Sequence, residues 1–113
     1  MEISKKDKKA AREVIEKALL RDFEEGLSKT ETILQNWRQG KQNARETYLE
    51  VYKHVKSLDK YIARRYDGMT GSMYLTTVIG LHMDKVINDE DLIDFSEEVQ
   101  VYIKSVAKNL LDD

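Results

Sequence analysis

The chain has no cysteine, no proline and only five glycines among its 113 residues. Without cysteine there is no disulfide framework, no thiolate metal site and no thiol nucleophile. Without proline, and with so little glycine, few residues remain that would interrupt a helix. No apolar run approaches the ~20 residues that span a bilayer. The opening MEISKKDKKAAR is charged and has no apolar stretch of the kind that makes a secretory signal. The expected setting is therefore the cytoplasm, with no membrane attachment. Charged residues make up 35% of the chain, which suits helices joined by short connections.

A chain of this length holds one small core and leaves much of its surface in water, so a second subunit is a natural source of stability. The net charge of −2 is unevenly spread. Residues 1–12 carry five Lys/Arg against two acids, residues 37–66 carry eight against three, and residues 84–113 carry three against nine. Such a distribution belongs either to ordinary solvated faces or to a surface that meets a partner.

Ser4-Lys5-Lys6-Asp7 reads as a capping box opening a helix. From there to Arg38 only Gly26 speaks against helix, at about 1 kcal/mol relative to alanine. The apolar stripe of this segment is Ile15, Leu19/Leu20, Phe23, Leu27, Leu34 and Trp37. Its three-to-four spacing puts those side chains on one face. A helix of this length is a rod near 50 Å long, more than a core of this size can cover, and the expectation is a homodimer. Leu27, Leu34 and Trp37 are its candidate packing residues.

Gly40 suits a helix C-terminus, and Asn43 with Glu46 caps the next helix. That helix, 44–66, has Tyr48, Val51/Tyr52, Val55, Leu58, Ile62 and Tyr66 as its expected inner face. The stretch Tyr61–Leu75, YIARRYDGMTGSMYL, then turns the chain, with Gly68 after the helix and Thr70 or Ser72 as the next cap. A third helix is expected at 73–87 (Leu75, Val78/Ile79, His82, Val86). A short helix at 89–95 follows, capped by Asn88, and a last one at 97–111 carries Val99, Tyr102/Ile103, Val106 and Leu110. The fold class is all-α, one helical domain over 1–113. A long N-terminal helix and a second helix form an extended antiparallel hairpin, followed by a small C-terminal helical head.

No constellation for catalysis emerges. Gly68-Met69-Thr70-Gly71-Ser72 lacks the Gly-Lys-Ser/Thr ending of a phosphate loop and has no strand before it. The acid-rich stretch from Asp84 fails as a calcium loop: position 3 is Val86, position 6 is Asp89 and position 12 is Phe95. His54 and His82 lie on different helices, outside any His-Glu-x-x-His pattern. Nothing assembles a nucleophile, a base and an oxyanion donor. Neither an enzyme, nor a metal, nor a cofactor is expected.

What stands out is a basic second helix beside aromatic residues. Lys53, Lys56, Lys60, Arg64 and Arg65 are the candidate partner-binding face, with Trp37, Tyr48 and Tyr52 nearby. A non-enzymatic protein–protein interaction module with an unidentified protein partner is the leading expectation. The rival is a small nucleic-acid-associated protein using the same basic face, against which stand a pI near 5.7 and the lack of any helix-turn-helix or zinc pattern.

Several of these residues also resemble a family. The long first helix, a second helix ending Ile62-Ala63-Arg64-Arg65-Tyr66-Asp67, Ser72 five residues beyond, an aliphatic third helix, and Asp91-Leu92 with Phe95 are similar to the fluorescence recovery protein of cyanobacteria and its relatives. The similarity spans roughly 14–110 and is densest from Tyr48 to Phe95. It implies an all-helical homodimer without catalytic activity that works by binding another protein, the orange carotenoid protein in cyanobacteria. Where the photoprotective members carry a Trp, a His-Asp pair and an Arg, this chain has Leu49, Tyr52-Lys53 and Asp59. Charge complementarity fixes partner choice, so the resemblance implies a relative outside those members, with a different partner.

Overall fold

The computed structural model describes residues 2–112. The chain is all-helical: α1 Lys5–Arg38, α2 Ala44–Tyr66, α3 Tyr74–Met83 and α4 Glu97–Asp112, with short 3₁₀ turns at Gly71–Met73 and Asp89–Leu92. No strand occurs among the described residues. The chain divides into two compact units, Met1–Leu20 with Gly68–Asp113, and Arg21–Asp67. They are called here the split unit and the hairpin unit.

In the split unit, the core is made by Val78 and Leu81 of α3, Ile87, Leu92 and Phe95 between the helices, and Val99, Ile103 and Ala107 of α4. The part of α1 up to Leu20 buries Ala10, Ala11, Val14 and Ala18. Small side chains let a helix backbone come close to its neighbours. Polar groups fix this packing at two points. Ser4 Oγ accepts the Asp7 N–H at 3.1 Å, as a cap should. Asp7 then reaches across the unit: its carboxylate accepts the Ser96 backbone N–H at 2.7 Å and the Ser96 hydroxyl at 2.8 Å. One buried carboxylate thus serves the start of α1 and the start of α4. Burial opposes its charge, but these donors hold the Asp7 carboxyl below its usual range. Further along, Lys17 pairs with Asp91 at 3.7 Å.

Two expected helices come out shorter. The third ends at Met83, where the expectation was 87. Lys85 takes a left-handed backbone (φ 62), and the Val86 N–H turns back to the Leu81 carbonyl at 3.0 Å. The expected helix at 89–95 is a 3₁₀ turn over Asp89–Leu92, closed by reciprocal bonds between Asn88 and Asp91. Thr70 and Ser72 do not cap α3: their hydroxyls bond each other at 3.0 Å. The Ser96 hydroxyl likewise points to Asp7.

In the hairpin unit, α1 packs on α2. Gly40 (φ 76) ends α1, and the Glu46 N–H donates to Asn43 Oδ1 at 2.8 Å to begin α2. The two helices run antiparallel, since Asp22 meets Tyr61 and Tyr66 while Gly26, one turn on, meets His54 and Leu58. A Cβ at Gly26 would collide with Leu58 Cδ2, so glycine here makes room for the Leu58 side chain. His54 Nε2–H donates to the Gly26 carbonyl at 2.9 Å.

The packed lines differ from the expected apolar stripes. On α1 the line in this unit is Asp22, Gly26 and Ile33; on α2 it is Thr47, Val51, His54, Leu58 and Tyr61. The stripe Phe23, Leu27, Leu34 and Trp37 lies one residue further on and is exposed, as are Tyr48, Tyr52 and Val55, which were expected to face inward. Periodicity weighs size and hydrophobicity, whereas the seam is held by a glycine, a carboxylate, a threonine and a histidine.

A candidate interaction surface on the hairpin unit

Six of the exposed large apolar residues of the hairpin unit follow a simple rule, which Leu49, on the back of α2, does not. On α1, Phe23, Leu27 and Leu34 each follow a packed residue (Asp22, Gly26, Ile33) by one position; on α2, Tyr48, Tyr52 and Val55 follow Thr47, Val51 and His54. One residue is a turn of about 100° around a helix. Because α1 and α2 run in opposite directions, these two rotations swing to the same side of the pair. Together with Trp37 the six line one side of both helices, a side they share with Thr30 and with Asp59, which follows Leu58 by one. Leu27 is 69% exposed, Tyr48 71% and Tyr52 56%. At the 150–250 Å² carried by an aromatic side chain, the seven residues leave roughly 800 Å² in water. The largest apolar patch of an ordinary monomer covers about 300–600 Å².

Lys53, Lys56, Lys60 and Arg64, unlike Asp59, take other positions. Lys53, Lys60 and Arg64 precede the packed residues His54, Tyr61 and Arg65 by one, which turns them to the opposite side of the pair. Lys56 stands on the back of α2, its ammonium 5.9 Å from the centre of the Tyr52 ring. A shallow groove on the polar side is lined by Lys29, Thr32, Glu50, Lys53 and Ser57, with Ile33 at its base.

Arg65 does not join the other basic residues. It turns toward α1, donates from Nη1 to the Tyr61 hydroxyl at 2.6 Å and lies over that ring at 5.5 Å. The Tyr61 and Tyr66 hydroxyls both donate to Asp22 Oδ2, at 3.1 and 2.6 Å. Burial together with the Asp22 carboxylate pushes the Tyr66 phenol far above its ordinary value, and burial raises that of Tyr61 despite Arg65. The end of α2 in YIARRYDG is thus tied by half-buried side chains to the buried Asp22 carboxylate. The five candidate partner-binding residues split three ways: Lys53, Lys60 and Arg64 together, Lys56 behind them, and Arg65 inside. The three dimer candidates Leu27, Leu34 and Trp37 are all exposed.

Of the histidines, His54 is a seam residue, and His82 donates from Nε2 to Asp89 at 2.8 Å, a partner that sequence spacing did not suggest. No group of three or more His, Cys, Asp or Glu that could hold a metal occurs among the described residues. Among them, too, no helix is long and apolar enough to cross a membrane. No protein-family model, curated protein or solved structure matches this chain.

What sequence reasoning missed is the line of Asp22, Gly26 and His54. The signal was present in the spacing: Thr47, Val51, His54, Leu58, Tyr61 and Arg65 alternate by four and three, an uninterrupted heptad seam of mixed polarity.

Proposed function

We propose that the protein is a non-catalytic interaction module that self-associates into a homodimer through the apolar side of Arg21–Asp67 and acts on another protein. The exposed apolar residues Phe23, Leu27, Leu34, Trp37, Tyr48, Tyr52 and Val55, set on one side of the helix pair, carry the proposal. Their extent is close to the ~800 Å² that each partner contributes to a standard interface. Their aromatic content is typical of interface centres. A two-fold pairing buries one such patch against an identical one, which a self-complementary apolar surface allows.

Such a dimer leaves Lys53, Lys60 and Arg64, on the opposite side of the pair, open to a further partner. A protein that only binds shifts an equilibrium by preferring one conformation of its partner. The resemblance to fluorescence recovery proteins, carried by Tyr66-Asp67, Asp91-Leu92 and Phe95, supports both self-association and action through a protein. Leu49, Tyr52, Lys53 and Asp59 argue for a partner other than the carotenoid protein.

Light scattering at micromolar concentration tests the dimer. The unaltered chain should show twice the monomer mass, and Leu27→Glu combined with Tyr52→Glu should return it to a monomer with unchanged helix content. A monomer mass for the unaltered chain overturns the proposal. The grouping of Lys53, Lys60 and Arg64 favours nucleic acid as the second reading. Phosphate contacts would make binding collapse between low and physiological salt; if no nucleic acid is retained even at low salt, that reading fails.

A further inference from the structure

In the split unit a cleft of about 700 Å³ opens between the turn after α3 and one face of α4. That volume falls in the range of roughly 300–1,000 Å³ that takes small molecules. Its floor is apolar: Ile87 and Ala107 are buried there, and Met83 and Leu111 stand at its walls. Its lining is also rich in cations, with Lys85 on the turn and Lys104 and Lys108 on successive turns of α4. No ion pair joins any of the three to another described residue. The acids of the lining are Asp89 and Glu90. Asp89 is already engaged, accepting from His82 Nε2 at 2.8 Å and lying in the field of Lys104.

Lys85 is the most informative of these residues. It is the one non-glycine residue with positive φ among those described, at 62°. It occupies the position after a helix where glycine is the ordinary choice. The turn closes around it, with Lys85 N–H on the His82 carbonyl and Val86 N–H on that of Leu81. Lysine at that position sacrifices stability that glycine would retain, and what it adds is an ammonium group at the cleft.

We propose that this cleft binds a free organic carboxylate with an apolar body, the body lying along Met83, Ile87, Ala107 and Leu111 and the carboxylate meeting Lys85 and Lys108. Charge-assisted hydrogen bonds to the carboxylate supply its orientation, and the floor supplies most of its burial. The cleft belongs to a different unit from the apolar surface of the hairpin, so this site stands or falls independently of the dimer.

Octanoate is a suitable probe and 1-octanol its uncharged counterpart, each titrated into the ¹⁵N-labelled full chain. Octanoate should give saturable amide shifts confined to 82–90 and 104–111, and octanol should bind at least about tenfold more weakly, as loss of a charge-assisted bond implies. Lys85→Gly should raise the melting temperature and yet weaken octanoate binding by about tenfold or more. No unfolding explains that combination. Lys104→Gln with Lys108→Gln should weaken it as well, while Tyr52→Glu should leave it unchanged. The proposal is overturned if shifts do not saturate or fall on 23–55, if octanol binds as well as octanoate, or if the lysine variants bind like the parent.

Discussion

The split unit and the hairpin unit of this chain are stabilised in different ways. Of the fourteen buried apolar residues among those described, thirteen belong to the split unit and only Ile33 to the hairpin. The hairpin has two long helices and a seam of Asp22, Gly26, Thr47 and His54. The split unit has shorter elements around a closed core of Val78, Leu81, Leu92, Phe95 and Ile103. Helix length therefore does not indicate where the stability lies. The long helices leave their large side chains in water, while the shorter elements bury their apolar residues.

The most direct way to break this contrast is to open the core. Leu81→Ala, at a fully buried position, should cost about 3 kcal/mol, read as a fall in the urea midpoint at constant m-value. A smaller loss, about 2 kcal/mol, is expected for Asp7→Ala, which leaves the Ser96 N–H and hydroxyl without their acceptor. Asp7 also contributes to the acid dependence of the split unit. Its folded pKa lies below the ordinary 3.8, so its stabilisation is complete above that value and is lost as pH falls through the folded pKa. Asp7→Ala should flatten that acid limb.

The hairpin should fail at the other end of the pH scale. Tyr66→Phe removes a hydroxyl from Asp22 and should cost about 1 kcal/mol. Folding raises the Tyr66 phenol above 10.0, so its contribution is complete below that pH and declines as pH rises beyond it. A thermal melt followed across alkaline pH should show this decline in the parent and less of it in Tyr66→Phe. Gly26→Ala should be the mildest change. The helix gains up to ~1 kcal/mol, but the new methyl must displace the end of Leu58, leaving a net effect within about 0.5 kcal/mol that a urea titration would bound.

The helices of this fold were legible wherever a local rule sets them. Ser4, Gly40 and Asn43 act within a few residues of themselves, and the bounds of α1 and α2 follow from the side chains of Ser4 and Asn43 and the left-handed backbone of Gly40. The end of α3 was not legible, because a lysine occupies the left-handed position where glycine would have marked it. The faces were read one residue off, since beside Val14 and Ile33 the packed line of α1 is built from Ala10, Ala11, Ala18, Gly26 and two aspartates, which hydrophobic periodicity counts lightly or not at all. That same offset turns Leu27, Leu34 and Trp37 outward. Arg65 looked like a member of a basic face, and only the tertiary placement of Tyr61 shows that it turns in.

The bond from Asp7 to Ser96 spans 89 positions of sequence. Closing so long a loop costs entropy before any contact repays it, so the clasp belongs late on the folding route. A contact absent from the transition state slows unfolding without speeding folding. In stopped-flow kinetics, Asp7→Ala should therefore leave the refolding arm nearly unmoved and raise the unfolding arm, making this carboxylate a latch on the lifetime of the native state.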